Sequence, residues 1–326
     1  MTTHPMFRSV LLAAALCYFS TGVAGVLRVA SDEATQRVRV FDGADESAAF
    51  ADATSMAMQA GTVTADTFSN RAFFIGNSAS GQSLYQLGYT TTGQALPQAL
   101  ATTLRITHLE IDLSGSTRLL GAAIDPADDS VRLISVSVPG AAVTDLGMPA
   151  AGCCVFRTGV SAFRNSDDSF YFVGRRSTDI QDHLFRFTMN PPTLAQAVPV
   201  PDDLSVSELI VNASGQLLGL AYSTAAQATK VVTSDAALNI TPLGSGVSDC
   251  CFVMAGSTAL NASVNALFTL GPGIAGLSPN PPRQWSFNVA SGAISDGMTA
   301  TNGAGLFFDT TPILILDVLF ANGFEP

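Results

Sequence analysis

Two adjacent cysteine pairs, Cys153-Cys154 and Cys250-Cys251, are the most specific chemical feature of this sequence. Neighbouring Cα atoms lie about 3.8 Å apart across a trans peptide, short of the roughly 4.4–6.8 Å usual in disulfides, so a ring closed between neighbours is strained and easily reduced. Such a ring would offer a rigid apolar platform for a ligand, a redox switch, or simply a clip that stiffens a junction. A bridge between the two pairs is the other arrangement.

The remaining candidates are diffuse. Arg175-Arg176-Ser177-Thr178-Asp179-Ile180-Gln181-Asp182-His183 gathers charge and a histidine in one segment, and with Arg157 it supplies Arg157, Arg175 and His183 as a conceivable polar cluster at a channel or loop. A solvated hairpin explains the same segment. No GxSxG elbow is present, which leaves no serine placed for nucleophilic attack. Once Cys17 and His4 are set aside with the N-terminal segment, the histidines are His108 and His183, and neither CxxC nor HxxxH spacing occurs, so the expectation is no metal and no cofactor. The acidic pairs Asp128-Asp129, Asp167-Asp168 and Asp202-Asp203 lack the spacing and glycine of a calcium loop and read as turns.

These residues must be positioned by a repeat. Aligning the two cysteine pairs also aligns Gly159 with Gly256, Phe170-Tyr171-Phe172-Val173-Gly174 with Ala266-Leu267-Phe268-Thr269-Leu270-Gly271, and Leu184-Phe185-Arg186-Phe187 with Gln284-Trp285-Ser286-Phe287. A third copy, without cysteines, starts at Ser55 and includes Phe73-Phe74-Ile75-Gly76. A second kind of unit alternates with the first: Leu119-Leu120-Gly121-Ala122 and Val131-Arg132-Leu133-Ile134 align with Leu217-Leu218-Gly219-Leu220 and Lys230-Val231-Val232-Thr233. Each unit is about 48 residues of short apolar runs separated by Gly, Asn, Asp, Pro and Ser, the content of a propeller blade rather than of a helical solenoid. Only Glu46 to Gln59 looks helical.

The expected fold is therefore all-β, a β-propeller rather than a two-sheet sandwich. Units start near 55, 103, 153, 203 and 250. The leftover segments 25–54 and 298–316 both resemble parts of the second unit. One blade shared by the two termini gives six blades and removes free sheet edges. Seven blades, with the ends unmerged, is the alternative.

Composition restricts partners and place. The 326 residues are 47% hydrophobic and only 13% charged, with 15 basic residues against 26 acidic ones and a single lysine, Lys230. No basic stripe exists to neutralise a phosphate backbone, so nucleic acid is not an expected partner. Val10 to Leu16, behind Arg8 and before Gly22-Val23-Ala24, reads as a signal peptide over 1–24, too short for a membrane span. Its removal leaves a mature chain with no integral membrane segment, four cysteines, and secretion or the periplasm as destination. Disulfides fit that compartment. Sequons at Asn212, Asn239 and Asn261 would matter only in a eukaryotic route.

Residues 317–326 carry Phe320-Ala321-Asn322-Gly323-Phe324-Glu325, which resembles the FxNGFE tail closing many exported proteins of xanthomonad-like bacteria. The repeat is similar, in architecture alone, to uncharacterised secreted bacterial β-propellers. Propeller lyases and quinone-dependent dehydrogenases also exist, but no catalytic motif of theirs maps onto residues here, and the single Trp285 departs from tryptophan-docked blades. The expectation is an exported module that binds an unknown ligand or protein without catalysis. The alternatives are a hydrolase or lyase with its site at the channel mouth, and an acidic matrix component holding divalent cations.

Overall fold

The computed structural model describes residues 26–32, 37–42, 45–54, 57–59, 61–66, 71–88, 93–94, 97–112, 118–147, 153–176, 179–248, 258–261, 265–271, 283–295 and 309–315, and every regular element among them is a strand. The segment Phe170-Tyr171-Phe172-Val173 shows why. All four side chains are fully buried, but on two sides: Phe170 and Phe172 pack with Leu120 and Leu133 from the preceding sheet, while Tyr171 and Val173 pack with Leu204 and Val206 from the following one. Successive strand residues point to opposite faces, so a strand covered on both faces needs an unbroken apolar run. Phe172 stacks on Phe185 and Phe187 with ring centroids 5.1 and 5.0 Å apart. Each such ring contributes about 1.5–3 kcal/mol by leaving water.

Four antiparallel meanders follow one another along the chain. The first holds Arg105–Asp112, Arg118–Ile124, Val131–Ser137 and Val143–Gly147; the second Cys153–Arg164, Ser169–Arg176, Asp182–Met189 and Pro192–Pro199. The third holds Leu204–Val211, Leu217–Ser223, Ala228–Ser234 and Ile240–Ser248; the fourth Thr258–Asn261, Ala266–Gly271, Arg283–Asn288 and Ile294–Ser295. Before them lies a sheet of Ala57–Met58, Arg71–Ser78, Gly81–Gly88 and Pro97–Ala99, with Thr64–Asp66 also paired to Arg71–Ser78. Val26–Asp32 pairs with Arg37–Asp42 on one side and with Asp309–Ile315 on the other.

The first strand of each meander packs against the first strand of the next, so these strands surround a common axis, and apolar clusters fill the space between consecutive sheets. This is a β-propeller arrangement. Among the described residues no helix is long and apolar enough to cross a membrane. The helical reading of Glu46 to Gln59 is corrected: Asp45–Thr54 is a strand, with Arg37 opposite Thr54 and Val38 opposite Ala53. Alanine-rich propensity is a weak preference that pairing to a neighbouring strand overrides.

A shared irregularity shapes the inner strands. Between Arg105–Asp112 and Arg118–Ile124 the register slips at Thr107, and between Leu204–Val211 and Leu217–Ser223 it slips at Ser207. In both, the bulged hydroxyl turns back onto its own sheet, Thr107 Oγ1 donating to the Ala122 carbonyl and Ser207 Oγ to that of Leu220, each at 3.2 Å. The same slip occurs at Pro312, between Asp309–Ile315 and Val26–Asp32. An extra residue bends the strand and re-aims the side chains that come after it.

Candidate functional site

Immediately after the bulge stands His108 in one inner strand and Glu208 in the other, and both are buried. Thr107 Oγ1 also lies 2.9 Å from His108 Nδ1, a hydrogen bond whose donor is set by the imidazole tautomer. Glu208 takes a different partner: its Oε2 accepts from the backbone N–H of Thr258, on the next inner strand, at 3.3 Å. Thr258 is fixed in turn by a hydroxyl contact of 3.0 Å to Thr269.

Two residues beyond His108, Glu110 makes the corresponding cross-sheet contact. Ser161 Oγ donates to Glu110 Oε1 at 2.6 Å, tying the inner strand Arg105–Asp112 to Cys153–Arg164. Burial pushes the Glu110 carboxyl up to about 8, against the opposing pull of the Ser161 hydrogen bond, so at neutral pH it is mostly protonated. Glu110, Ser161, Glu208 and Thr258, with Val63 and Ile210, line one cavity of about 230 Å³ on the propeller axis. An axial cavity with two carboxyl groups, one of them neutral near pH 7, can both donate and accept hydrogen bonds.

The residues singled out by spacing lie elsewhere. Arg175 is exposed, and its Nε donates to Asp182 Oδ1 at 2.7 Å. His183 is buried beside Phe185, with Nδ1 3.0 Å from the Gln181 carbonyl and Nε2 3.7 Å from Asp179. Neither lines the axial cavity; Arg175 borders a separate groove of about 210 Å³ with Ile180 and Asp202. Arg157 falls in the stretch that the pairing of Phe156 and Ser161 skips, and its side chain is outside the described residues. The backbone pairs Cys153 with Arg176 and skips Cys154, while the side chains of both, and all of Cys250-Cys251, are outside the described residues.

The acidic pairs sit in turns. Asp128 accepts from the Ser130 N–H, Asp167 bridges Arg164 and Arg186, and Asp202 accepts from Gln181. Asp129 and Asp168 adopt positive φ, the left-handed conformation that aspartate tolerates better than most residues. Among the described residues no group of three His, Cys, Asp or Glu side chains is placed to hold a metal ion.

Sequence reasoning missed Glu110 and Glu208. One signal was available: Ile106-Thr107-His108-Leu109 lies over Val206-Ser207-Glu208-Leu209, a hydroxyl then a titratable residue then leucine, just ahead of the aligned Leu-Leu-Gly segments.

Neither a protein-family profile nor a curated protein sequence matches the chain. Solved structures do. A protein of unknown function from Bacteroides caccae is similar at a TM-score of 0.53 and 9% identity, over 89% of this chain and 98% of that one. A protein from Lactobacillus plantarum is similar at 0.50 and 11%, over 87% and 86%. An oligogalacturonate lyase from Vibrio parahaemolyticus reaches 0.49 and 9%, over 84% and 85%. At such identities the likeness is one of fold alone.

Proposed function

We propose that this chain is an exported binding module, a six-bladed propeller that holds a small hydrogen-bonding ligand in its axial cavity without transforming it. The observation that carries this reading is the cavity wall itself: Glu110 and Glu208, each tied to a neighbouring inner strand through Ser161 or Thr258. A protonated carboxyl donates through one oxygen and accepts through the other, which suits a ligand bearing both functions on adjacent atoms. At about 230 Å³ the cavity falls below the roughly 300–1,000 Å³ of drug-sized pockets, so the ligand is small or enters only in part.

A hydrolase or lyase at the same mouth is the second reading. Glu110 favours it, because an acid that titrates near working pH is suited to general acid catalysis. A fragment screen by ligand-observed NMR on the full chain separates the outcomes. Small amines and amides should bind, and Glu110→Gln and Glu208→Gln should each weaken them; hits untouched by both variants would sink the axial site. Turnover of a hit would replace the binding module with the enzyme.

Six sheets support the six-blade count, and the pairing of Ser31 with Asp309 supports closure by both termini. On this reading the propeller runs from 25 to 316, with units starting near 55, 103, 153, 203 and 250, a signal peptide over 1–24 and a tail over 317–326. Export and two vicinal disulfides, Cys153-Cys154 and Cys250-Cys251, complete it, supported by the leader pattern and the even cysteine count. Cysteines placed at Ser31 and Asp309 test the ring. Peptide mapping of the oxidised variant should recover the two segments joined and each native pair closed on itself; separate terminal peptides reject the closure, and free or exchanged native thiols reject the vicinal rings.

A further inference from the structure

Away from the axis, a crevice of about 320 Å³ opens between the 153–199 and 204–248 sheets, and its lining includes Arg164, Tyr171, Arg186, Gly215 and Asp235. Tyr171 is the anomaly. Its side chain is fully buried, yet its hydroxyl oxygen has no hydrogen-bond partner in the protein. Native chains rarely keep such a group without a use for it. Burial pushes the phenol up, with Arg164, Arg186 and the nearby Ser169 hydroxyl pulling the other way, so the group stays a hydrogen donor at physiological pH.

The walls around it are built from paired charges. Arg164 donates from Nε and Nη2 to Asp167 and from Nη1 to the Gly215 carbonyl at 3.1 Å, which joins the two sheets across the crevice. Its guanidinium lies 5.1 Å over the Tyr171 ring. Arg186 places Nε on Ser169 and Nη2 on Asp167, so a ligand oxygen would be met by its Nη1. On the facing wall stands Asp235, whose carboxyl is held below its ordinary range by hydrogen bonds from Asn239. Two guanidinium groups and two carboxylates cancel, in a chain of formal net charge -11. An oxyanion would meet Asp235 and Asp167 as well as the arginines.

We propose that this crevice is a subsite for a neutral polyhydroxylated ligand of one sugar ring, whose hydroxyl groups donate to Asp235 and accept from Tyr171 and Arg186. The volume is the room of about ten water molecules, which matches a single ring. Facing donors and acceptors fixed on two rigid sheets are what adjacent hydroxyl groups require, and the aliphatic side chains of Leu217 and Leu238 supply the apolar floor.

Saturation-transfer NMR on the full chain, with glucose, galactose and mannose as probes and inorganic phosphate as competitor, tests the subsite. At least one hexose should bind, phosphate should not displace it, and Tyr171→Phe and Asp235→Asn should each weaken it about tenfold or more. Glu110→Gln, on the axis, should leave it unchanged, so this subsite and the axial site fail independently. Tyr171→Phe should also keep or raise the melting temperature, because the lost hydroxyl bonds nothing in the chain. Absence of hexose binding, displacement by phosphate, full affinity in Tyr171→Phe, or a lowered melting temperature for that variant would each overturn the assignment.

Discussion

Replacing Glu110 by glutamine should raise the melting temperature at pH 9 and leave it near the wild-type value at pH 5. The carboxyl sits at about 8 in the folded chain against 4.5 for a free glutamate, and burial is the main cause. Between those values the unfolded chain has released a proton that the native chain retains, so native stability falls as pH rises through this window and the loss is complete above about 8. A shift of that size corresponds to at most about 5 kcal/mol, and solvent entering the axial cavity reduces it to about 2 kcal/mol. Glutamine is isosteric and keeps an oxygen to accept from Ser161 Oγ, so the variant escapes the cost without losing the contact. For a chain of this length 2 kcal/mol is a few degrees. Calorimetric scans of both proteins at the two pH values measure it. An equal difference at pH 5 and pH 9, or a lower melting temperature for the variant at pH 9, would show that Glu110 ionises as an ordinary surface acid.

That prediction concerns a residue the sequence did not advertise, and the reason is physical. Cavity residues are single positions on the first strands of different sheets; Glu110 and Ser161 lie 51 residues apart, and Glu208 and Thr258 lie 50 apart. No local spacing joins them. Their chemistry comes from burial, which residue types alone do not convey. Arg175 and His183 drew notice because charge is dense around them, but in the structure that density is a hairpin closed by an Arg175–Asp182 ion pair. Strand positions such as Phe170 to Val173 were legible for the opposite reason. Covering both faces of a sheet forces an unbroken apolar run, and that run survives in one dimension. The segment Glu46 to Gln59 misled because its alanines favour a helix, whereas its conformation is decided by pairing with Arg37–Asp42, far weaker as a sequence signal.

Gly219→Ala and Gly121→Ala should be among the most damaging single-methyl changes available to this chain, at about 3 kcal/mol each. Gly121 lies opposite Leu109 and Gly219 opposite Leu209, immediately after the bulges at Thr107 and Ser207. A Cβ at Gly121 would fall 2.1 Å from the His108 carbonyl oxygen, and one at Gly219 would fall 2.2 Å from that of Glu208. The obstacle in both cases is backbone within a paired strand, so no side chain can rotate away and the two strands must separate. Overpacking of this kind costs about 1–3 kcal/mol, with the upper end expected where the obstructing atom cannot move. Gly81→Ala serves as the contrast: its φ is +111°, a Cβ there would touch nothing within 4 Å, and the cost is the backbone strain alone, about 1 kcal/mol. Urea denaturation separates the cases, with a lowered midpoint and an unchanged slope expected for all three. The two second-strand variants also differ from each other. Displacing the Glu208 carbonyl moves a cavity residue, so Gly219→Ala should weaken the amine and amide fragments that bind on the axis, while Gly121→Ala, which displaces His108 outside the cavity lining, should weaken them less. If Gly219→Ala melts and binds like the wild type, the carbonyl does not approach the second strand, and the bulge is not what aims Glu208 into the cavity.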